Sequence, residues 1–184
     1  MAEHRQTANA NILLIIGGGI AAYKALEVGR HLQKQGANIS TVLTEAAQKF
    51  ITPLSAGALL HKGVYTDLFQ RDVQHIALAR QADLIIVVPA TAHRMAKMVA
   101  GFAEDLAGAI LLSASCPILC VPAMNPSMWA HAATQHNYQI LQKRGIHFVP
   151  PIYGEMAEEG EAGLGRMAEL DSIITKAQQC LSGF

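Results

Sequence analysis

The 184-residue sequence lacks an excess of charge of either sign: 14 Lys and Arg stand against 14 Asp and Glu, and 15% of residues are charged. No field of the chain as a whole favours nucleic acid or an anionic membrane, and a small neutral or zwitterionic partner fits better. It also lacks a long hydrophobic run. Met1 to Ala10 is polar, and Ile12 to Ile16 breaks at three glycines, too short for a signal-peptide core or a membrane span. The expectation is a cytosolic protein with a polar tail over 1–10 and one domain over 11–184, a length sufficient to bury a single continuous core. Cysteine is scarce and odd in number. Cys116, Cys120 and Cys180 have neither zinc nor redox spacing and are expected to remain thiols. Cys116 and Cys120 flank Pro-Ile-Leu and read as small buried hydrophobes. None of the eight histidines sits at ligand spacing from a cysteine, so no metal site is expected. There is no internal repeat, low-complexity tract or linker.

What is present is alternation. NILLII (11–16), NISTVL (38–43), DLIIVV (83–88), PILCV (117–121) and IHFV (146–149) are short, apolar and β-branched, as strands buried on both faces of a parallel sheet are. Helical patterns lie between them at about 20–35, 92–99, 104–114 and 133–144, with a last one near 170–181. This order predicts a single α/β domain built on a doubly wound, mostly parallel sheet with helices on both faces. Ligands of such sheets bind beyond the carboxyl ends of the strands, so the segments following each strand are where function is sought.

After the first strand, Gly17-Gly18-Gly19-Ile20-Ala21-Ala22 matches G-x-G-x-x-A at a strand-to-helix turn, where backbone N–H groups and the helix dipole face an anion. A tight structural turn explains the same glycines equally well. The second strand ends in Thr44 and Glu45; a hydroxyl beside a helix start suits a phosphate better than a ribose diol, which favours a mononucleotide over a nicotinamide cofactor. In VPATA (88–92), Pro89 does not suit a central strand, and Thr91 can cap the next helix while offering its hydroxyl to a ligand. In PAMNPSMW (122–129) an amide, Asn125, follows a buried strand among Met124, Met128 and Trp129. It can orient a carboxylate or a flavin edge, and equally cap a helix with Pro126 at its first position. His75 precedes a short amphipathic helix leading to the third strand; a lone histidine there is commonly structural, and only its company at the rim marks it as an acid or base. The last loop, GEMAEEGEAGLGRM (154–167), crowds four glutamates and four glycines into a backbone suited to closing over something.

Together GGIAAYK, TEAAQKFITPL, HIALARQADL, PATA, GFAEDL, PAMNPSMW and GLGRMAE run in order from about Asn11 to Leu170. In that order they resemble the homo-oligomeric flavin-containing cysteine decarboxylases, a family with a Rossmann- or flavodoxin-like sheet. Within it they are most similar to the branch that acts on phosphopantothenoylcysteine in coenzyme A biosynthesis. The resemblance implies FMN held by Gly18, Gly19, Ile20, Thr44, Pro89, Ala90, Thr91 and Met124, at a subunit contact within a trimer or an assembly of trimers. It implies that His75 assists oxidation to a thioaldehyde and decarboxylation to an enethiolate, that Asn125 holds the substrate carboxylate, and that Met128, Glu158, Arg166 and Met167 contact substrate. Residues 154–167 fall where the family has a substrate-covering flap. That flap usually carries a cysteine as the last proton donor; this one has none. Counting back from Gly165-Arg166-Met167 puts Glu159 in its place, and counting forward from Gly154 puts Glu158 there.

A glutamic acid can replace the thiol as donor, or the reaction can stop at the enethiol, as in oxidative decarboxylases of peptidyl C-terminal cysteine; the coenzyme A character of the flap favours the first. His93 stands where an asparagine is usual. A prenyl-flavin synthase is disfavoured by the lack of a basic cluster for a prenyl phosphate. A non-catalytic flavin-binding subunit is disfavoured by the presence of both His75 and Asn125. A ligand-free α/β domain remains the bland alternative.

Overall fold

The computed structural model describes residues 7–69, 74–157 and 160–183. Its elements are β1 (Asn11–Ile16), α1 (Ala22–Lys34), β2 (Asn38–Leu43), α2 (Pro53–Leu60), β3 (Val64–Tyr65), α3 (Gln74–Gln81), β4 (Leu84–Ala90), α4 (Ala92–Ala100), α5 (Leu106–Ser113), β5 (Ile118–Pro122), α6 (Pro126–Ala130), α7 (Ala132–Lys143), β6 (His147–Phe148), β7 (Ile152–Glu155), β8 (Ala162–Arg166) and α8 (Leu170–Ser182). The five strands and five helices expected from the sequence all form, each end within two residues of its expected place.

Six strands pair in parallel in the order β3-β2-β1-β4-β5-β6. The chain runs outward from β1 to β3, then crosses back to β4 on the other side of β1. The carboxyl ends of β1 and β4 therefore flank the switch point where doubly wound sheets open a crevice. Alternation along the buried strands divides the interior into two layers. Ile12, Leu14 and Ile16 of β1 meet Val28 and Leu32 of α1, Leu60 of α2 and Ile173 of α8 on one face. Leu13 and Ile15 meet Leu78 of α3, Met95 of α4, Ile110 of α5 and Leu141 of α7 on the other. Burying each such side chain contributes about 2 kcal/mol relative to leaving it in water. Among the described residues no helix is long and apolar enough to cross a membrane.

Three features depart from expectation. Pro89 lies inside β4 rather than beyond it, because the β4–β5 ladder shifts register between Val87 and Ala90; a proline in such an irregularity forgoes no ladder hydrogen bond. Second, α2 follows the rim segment of β2, with Thr52 accepting from the Ser55 N–H, Ser55 bonding back to the Thr52 N–H, and Pro53 in the first turn. Third, strands form within the glycine-rich stretch after β6: β7 pairs antiparallel with β8, Tyr153 with Leu164 and Glu155 with Ala162.

Candidate active site

At the switch point the strand ends surround a cavity of about 980 Å³. Gly17 to Ala21 form one wall, Thr44 to Ala46 a second, Pro89 and Thr91 to Arg94 a third, and Met124, Asn125 and Met128 a fourth. The β7–β8 hairpin roofs part of it with Glu155, Met156, Gly165, Arg166 and Met167.

The glycines bring these segments together. A methyl group at Gly17 would strike the Pro89 carbonyl, and one at Gly18 would strike Ala46, so these two residues let three strand-end loops converge. Gly19 is different: an added Cβ would meet only the Thr91 methyl at 3.8 Å, leaving open floor. The helix that follows, α1, has no side-chain cap and no acidic residue in its first turn, so its amino end faces the cavity undefended by a carboxylate. Lys24 adds a cation on the same wall and enters no ion pair among the described residues.

The two hydroxyls expected beside this wall differ. Thr44 donates to the Ile16 carbonyl at 3.1 Å and accepts from the Ala47 N–H at 3.2 Å, so its proton is committed to joining β1 to the turn after β2. Among the described residues Thr91 only accepts, from the Arg94 N–H at 3.1 Å as the cap of α4, and its own proton remains available to a ligand. Ile20 and Pro89 line the cavity, whereas Ala90 is buried in β4 beneath it. His93 is exposed on the first turn of α4 and lines the wall.

Asn125 has its orientation fixed. Its Oδ1 accepts the Ser127 N–H at 2.9 Å as the cap of α6, with Pro126 in the first turn, so the NH₂ group must face the other way. The capping role and the ligand-facing role read from the sequence thus hold together. That NH₂ donates to Oε1 of Glu161 at 2.9 Å. Trp129, in contrast, does not line the cavity: it packs edge-on to Tyr138, which packs on Phe148, and fastens α6 to α7 and the sheet.

The hairpin is seated on this loop through its glycines. A side chain at Gly165 would collide with the Met124 carbonyl and one at Gly163 with the Pro126 ring, and the Met124 N–H donates to the Gly165 carbonyl at 3.0 Å. Arg166 lies across Gly154 and pairs with Glu169 at 3.0 Å, while Met167 is buried at the cavity edge. Glu158 and Glu159 lie outside the described residues. None of the three cysteines lines the cavity; burial pushes the thiols of Cys116, Cys120 and Cys180 up, away from the reactive thiolate form.

His75 stands apart. It is the second residue of α3, half-buried, outside the cavity, and its Nδ1 is buried with no hydrogen-bond partner among the described residues. The structure therefore assembles Gly18, Gly19, Ile20, Thr44, Pro89, Thr91, Met124, Asn125, Met128, Arg166 and Met167 around one space, and places His75 elsewhere on the same chain.

Sequence reading missed an ionic network on the third wall. Arg94, 4% exposed, makes a two-armed pair with Asp105, and Lys97 pairs with Glu104. Asp105 also caps α5 through the Gly108 N–H at 2.7 Å. The signal was the acidic Ala-Glu-Asp-Leu start of α5 arriving opposite the basic face of α4. Burial pulls the Asp105 pKa upward, but the Arg94 and Gly108 hydrogen bonds and the charges of Arg94 and Lys97 outweigh it and hold the carboxyl below the ordinary aspartate range. A depressed folded-state pKa gives stability that is complete above the unfolded-state value and is lost as pH falls through the folded one. Asp105→Asn is thus expected to lower stability at pH 7 by about 2 kcal/mol, less than a sealed pair because the carboxylate side chain is partly solvated. In denaturant titrations the gap to the wild type should close on acidification below the aspartate range; a gap independent of pH would refute the assignment.

The flavoprotein family model matches residues 1–182. Over 179 residues the chain is 41% identical to the coenzyme A biosynthesis bifunctional protein CoaBC of Mycolicibacterium smegmatis, a match covering 95% of this chain and 42% of that protein. With the CoaBC protein of Bacillus subtilis the identity is 40% over 175 residues, covering 93% and 43%. The chain thus spans less than half the length of these relatives. A PPC decarboxylase variant complexed with pantothenoylaminoethenethiol superposes with a TM-score of 0.84 at 28% identity, covering 93% of this chain and 97% of that one. The FMN-binding protein AtHal3 does so at 0.84 and 27%, covering 96% and 98%.

Proposed function

The chain belongs to the flavoprotein family, and from that premise we propose that it is an FMN-dependent decarboxylase of phosphopantothenoylcysteine, forming phosphopantetheine for coenzyme A in the cytoplasm. The observation that carries this reading is Asn125: it lines a cavity large enough for a mononucleotide and a second molecule, and its amide, turned by the α6 cap, already holds a carboxylate on its N–H donor. The similarity to the coenzyme A proteins and to a decarboxylase bound to an aminoethenethiol supplies the substrate class.

The cavity suits FMN on its own chemistry. The open floor at Gly19, the uncapped start of α1, Lys24 and the free proton of Thr91 make an anion-accepting wall for the phosphate. Met124, Met128 and Met167 give an apolar flank for a ring. When bound, FMN supplies the electron sink that lets the cysteine side chain reach the thioaldehyde level and so delocalises the charge left by CO₂. The protein's part is to fix the carboxylate on the Asn125 amide, to exclude water beneath the hairpin, and to move protons with His75.

Because His75 lies outside the cavity of its own chain, the reading requires a second copy to bring it in, and a homotrimer or an assembly of trimers is the proposed form. His75 is half-buried with its Nδ1 covered by its own chain, so the other ring nitrogen is the one that would face a neighbouring copy. Residues 11–184 form the FMN-binding decarboxylase domain in this reading, with 1–10 as a tail.

One observation favours a second outcome. No thiol of this chain lines the cavity and the stretch 154–167 carries no cysteine, and this favours release of the enethiol as the alternative product. A mass spectrum after incubation with phosphopantothenoylcysteine decides. A product lighter only by CO₂ is expected, with Glu158 or Glu159 as the donor. A product short of two further hydrogens assigns an oxidative decarboxylase, and unchanged substrate overturns the reading.

A further inference from the structure

Glu161 was in none of the sequence expectations, yet it holds the amide on which the proposed reaction depends. We propose that Glu161 is a specificity-determining residue: an intramolecular stand-in for the substrate carboxylate, which occupies Asn125 in the free site and yields it only to a ligand carrying a carboxylate of its own. The inference rests on the functional reading above, in which Asn125 receives that carboxylate.

The geometry leaves Glu161 little alternative. The Met156 N–H donates to the Glu161 carbonyl at 2.9 Å, the Glu155–Ala162 pair closes the hairpin behind it, and Gly163 and Gly165 fix the second strand to Pro126 and Met124. The backbone is thereby carried to a set height above Asn125. Lys24 sits on the phosphate-facing wall with α1, and the other cations of the cavity are engaged elsewhere: Arg94 with Asp105, Lys97 with Glu104 and Arg166 with Glu169. Glu161 makes no ion pair among the described residues, and the Asn125 amide is its anchor. An incoming carboxylate cannot share that amide closely, since two like charges a few ångströms apart repel. The two must exchange. Once the substrate carboxylate departs as CO₂, the amide is free, and Glu161 can return over a product that has nothing to displace it with.

A competitor that occupies the amide most of the time weakens every carboxylate ligand by the fraction of sites left open. The flavin-loaded protein is titrated with two probes: the serine analogue of phosphopantothenoylcysteine, which keeps the carboxylate but has no oxidisable thiol, and phosphopantetheine, which has neither carboxylate nor CO₂ to lose. Glu161→Ala is expected to tighten the serine analogue on the order of tenfold and to leave phosphopantetheine within about twofold. Glu161→Gln, which keeps a neutral acceptor, should fall between wild type and Glu161→Ala. Equal changes for both probes, or none, overturn the proposal. A wild type that binds neither probe removes the substrate reading and the proposal with it, whereas a wild type that binds both while Glu161→Ala discriminates no differently removes the proposal alone. Backbone hydrogen exchange of the ligand-free protein gives an independent readout. Asn125→Asp, which keeps the α6 cap, should loosen β8 when Glu161 is present and add no loosening to Glu161→Ala; additive effects, or none, refute the contact.

Discussion

Asn125→Asp is expected to retain flavin and lower kcat/KM for the cysteine conjugate by on the order of 10³. The substitution isolates one atom. Aspartate caps a helix as well as asparagine does, so the bond from the Ser127 N–H survives and α6 keeps its start. What changes is the group facing the cavity: a donor N–H becomes a carboxylate oxygen. A charge-assisted hydrogen bond is replaced by repulsion between two anions in a cavity partly shielded from water, where such repulsion is stronger than in bulk. The same repulsion acts on Glu161, so the hairpin should lose its tip contact as well. Flavin absorbance with steady-state kinetics checks both halves of the expectation. Unchanged kinetics would mean that the carboxylate binds elsewhere, and loss of flavin would mean that Asn125 belongs to the cofactor.

Most of this arrangement was legible in the sequence because parallel strands buried on both faces leave an unmistakable trace. NILLII and LIIVV cannot be exposed on either side, and the rule that function gathers at their carboxyl ends then points to the rim. Short elements were less visible. The two-residue strands β3 and β6 are pinned by their neighbours rather than by their own pattern, although the apolar run 146–149 brackets β6. Helix α2 does carry a local signal: Thr52-Pro53 followed by Ser55 is a cap with proline in the first turn. The hairpin was hidden by its glycines, which read as a loop. They are there because β8 lies directly on the backbone of Met124 and on the Pro126 ring, a tertiary contact with no local signature. Charge pairing across elements was hidden for the same reason. Arg94 and Asp105 are separated by a helix and a turn, and Asn125 and Glu161 by 36 residues. Thr44 shows the converse, since its residue type and place were right for a phosphate ligand, but its proton serves the Ile16 carbonyl.

His75→Asn is expected to leave flavin bound and reduce CO₂ release by on the order of 10³, the usual worth of a positioned acid–base group. Its place in the structure sharpens that expectation. In the shared-site reading proposed above, an imidazole outside the cavity of its own chain acts in the cavity of another copy, so the His75 variant and the Asn125→Asp variant would carry their defects on different sides of each site. Two nearly inactive proteins, dissociated and reassembled together at equal amounts, should regain about a quarter of wild-type activity, since half of the copies supply an intact His75 and half of their neighbours an intact Asn125. A structural role for His75 predicts something else: reduced thermal stability, weakened assembly, and no recovery on mixing. If the mixture stays inactive while both variants assemble normally, the imidazole and the amide belong to the same chain's site, and α3 must move to bring them together.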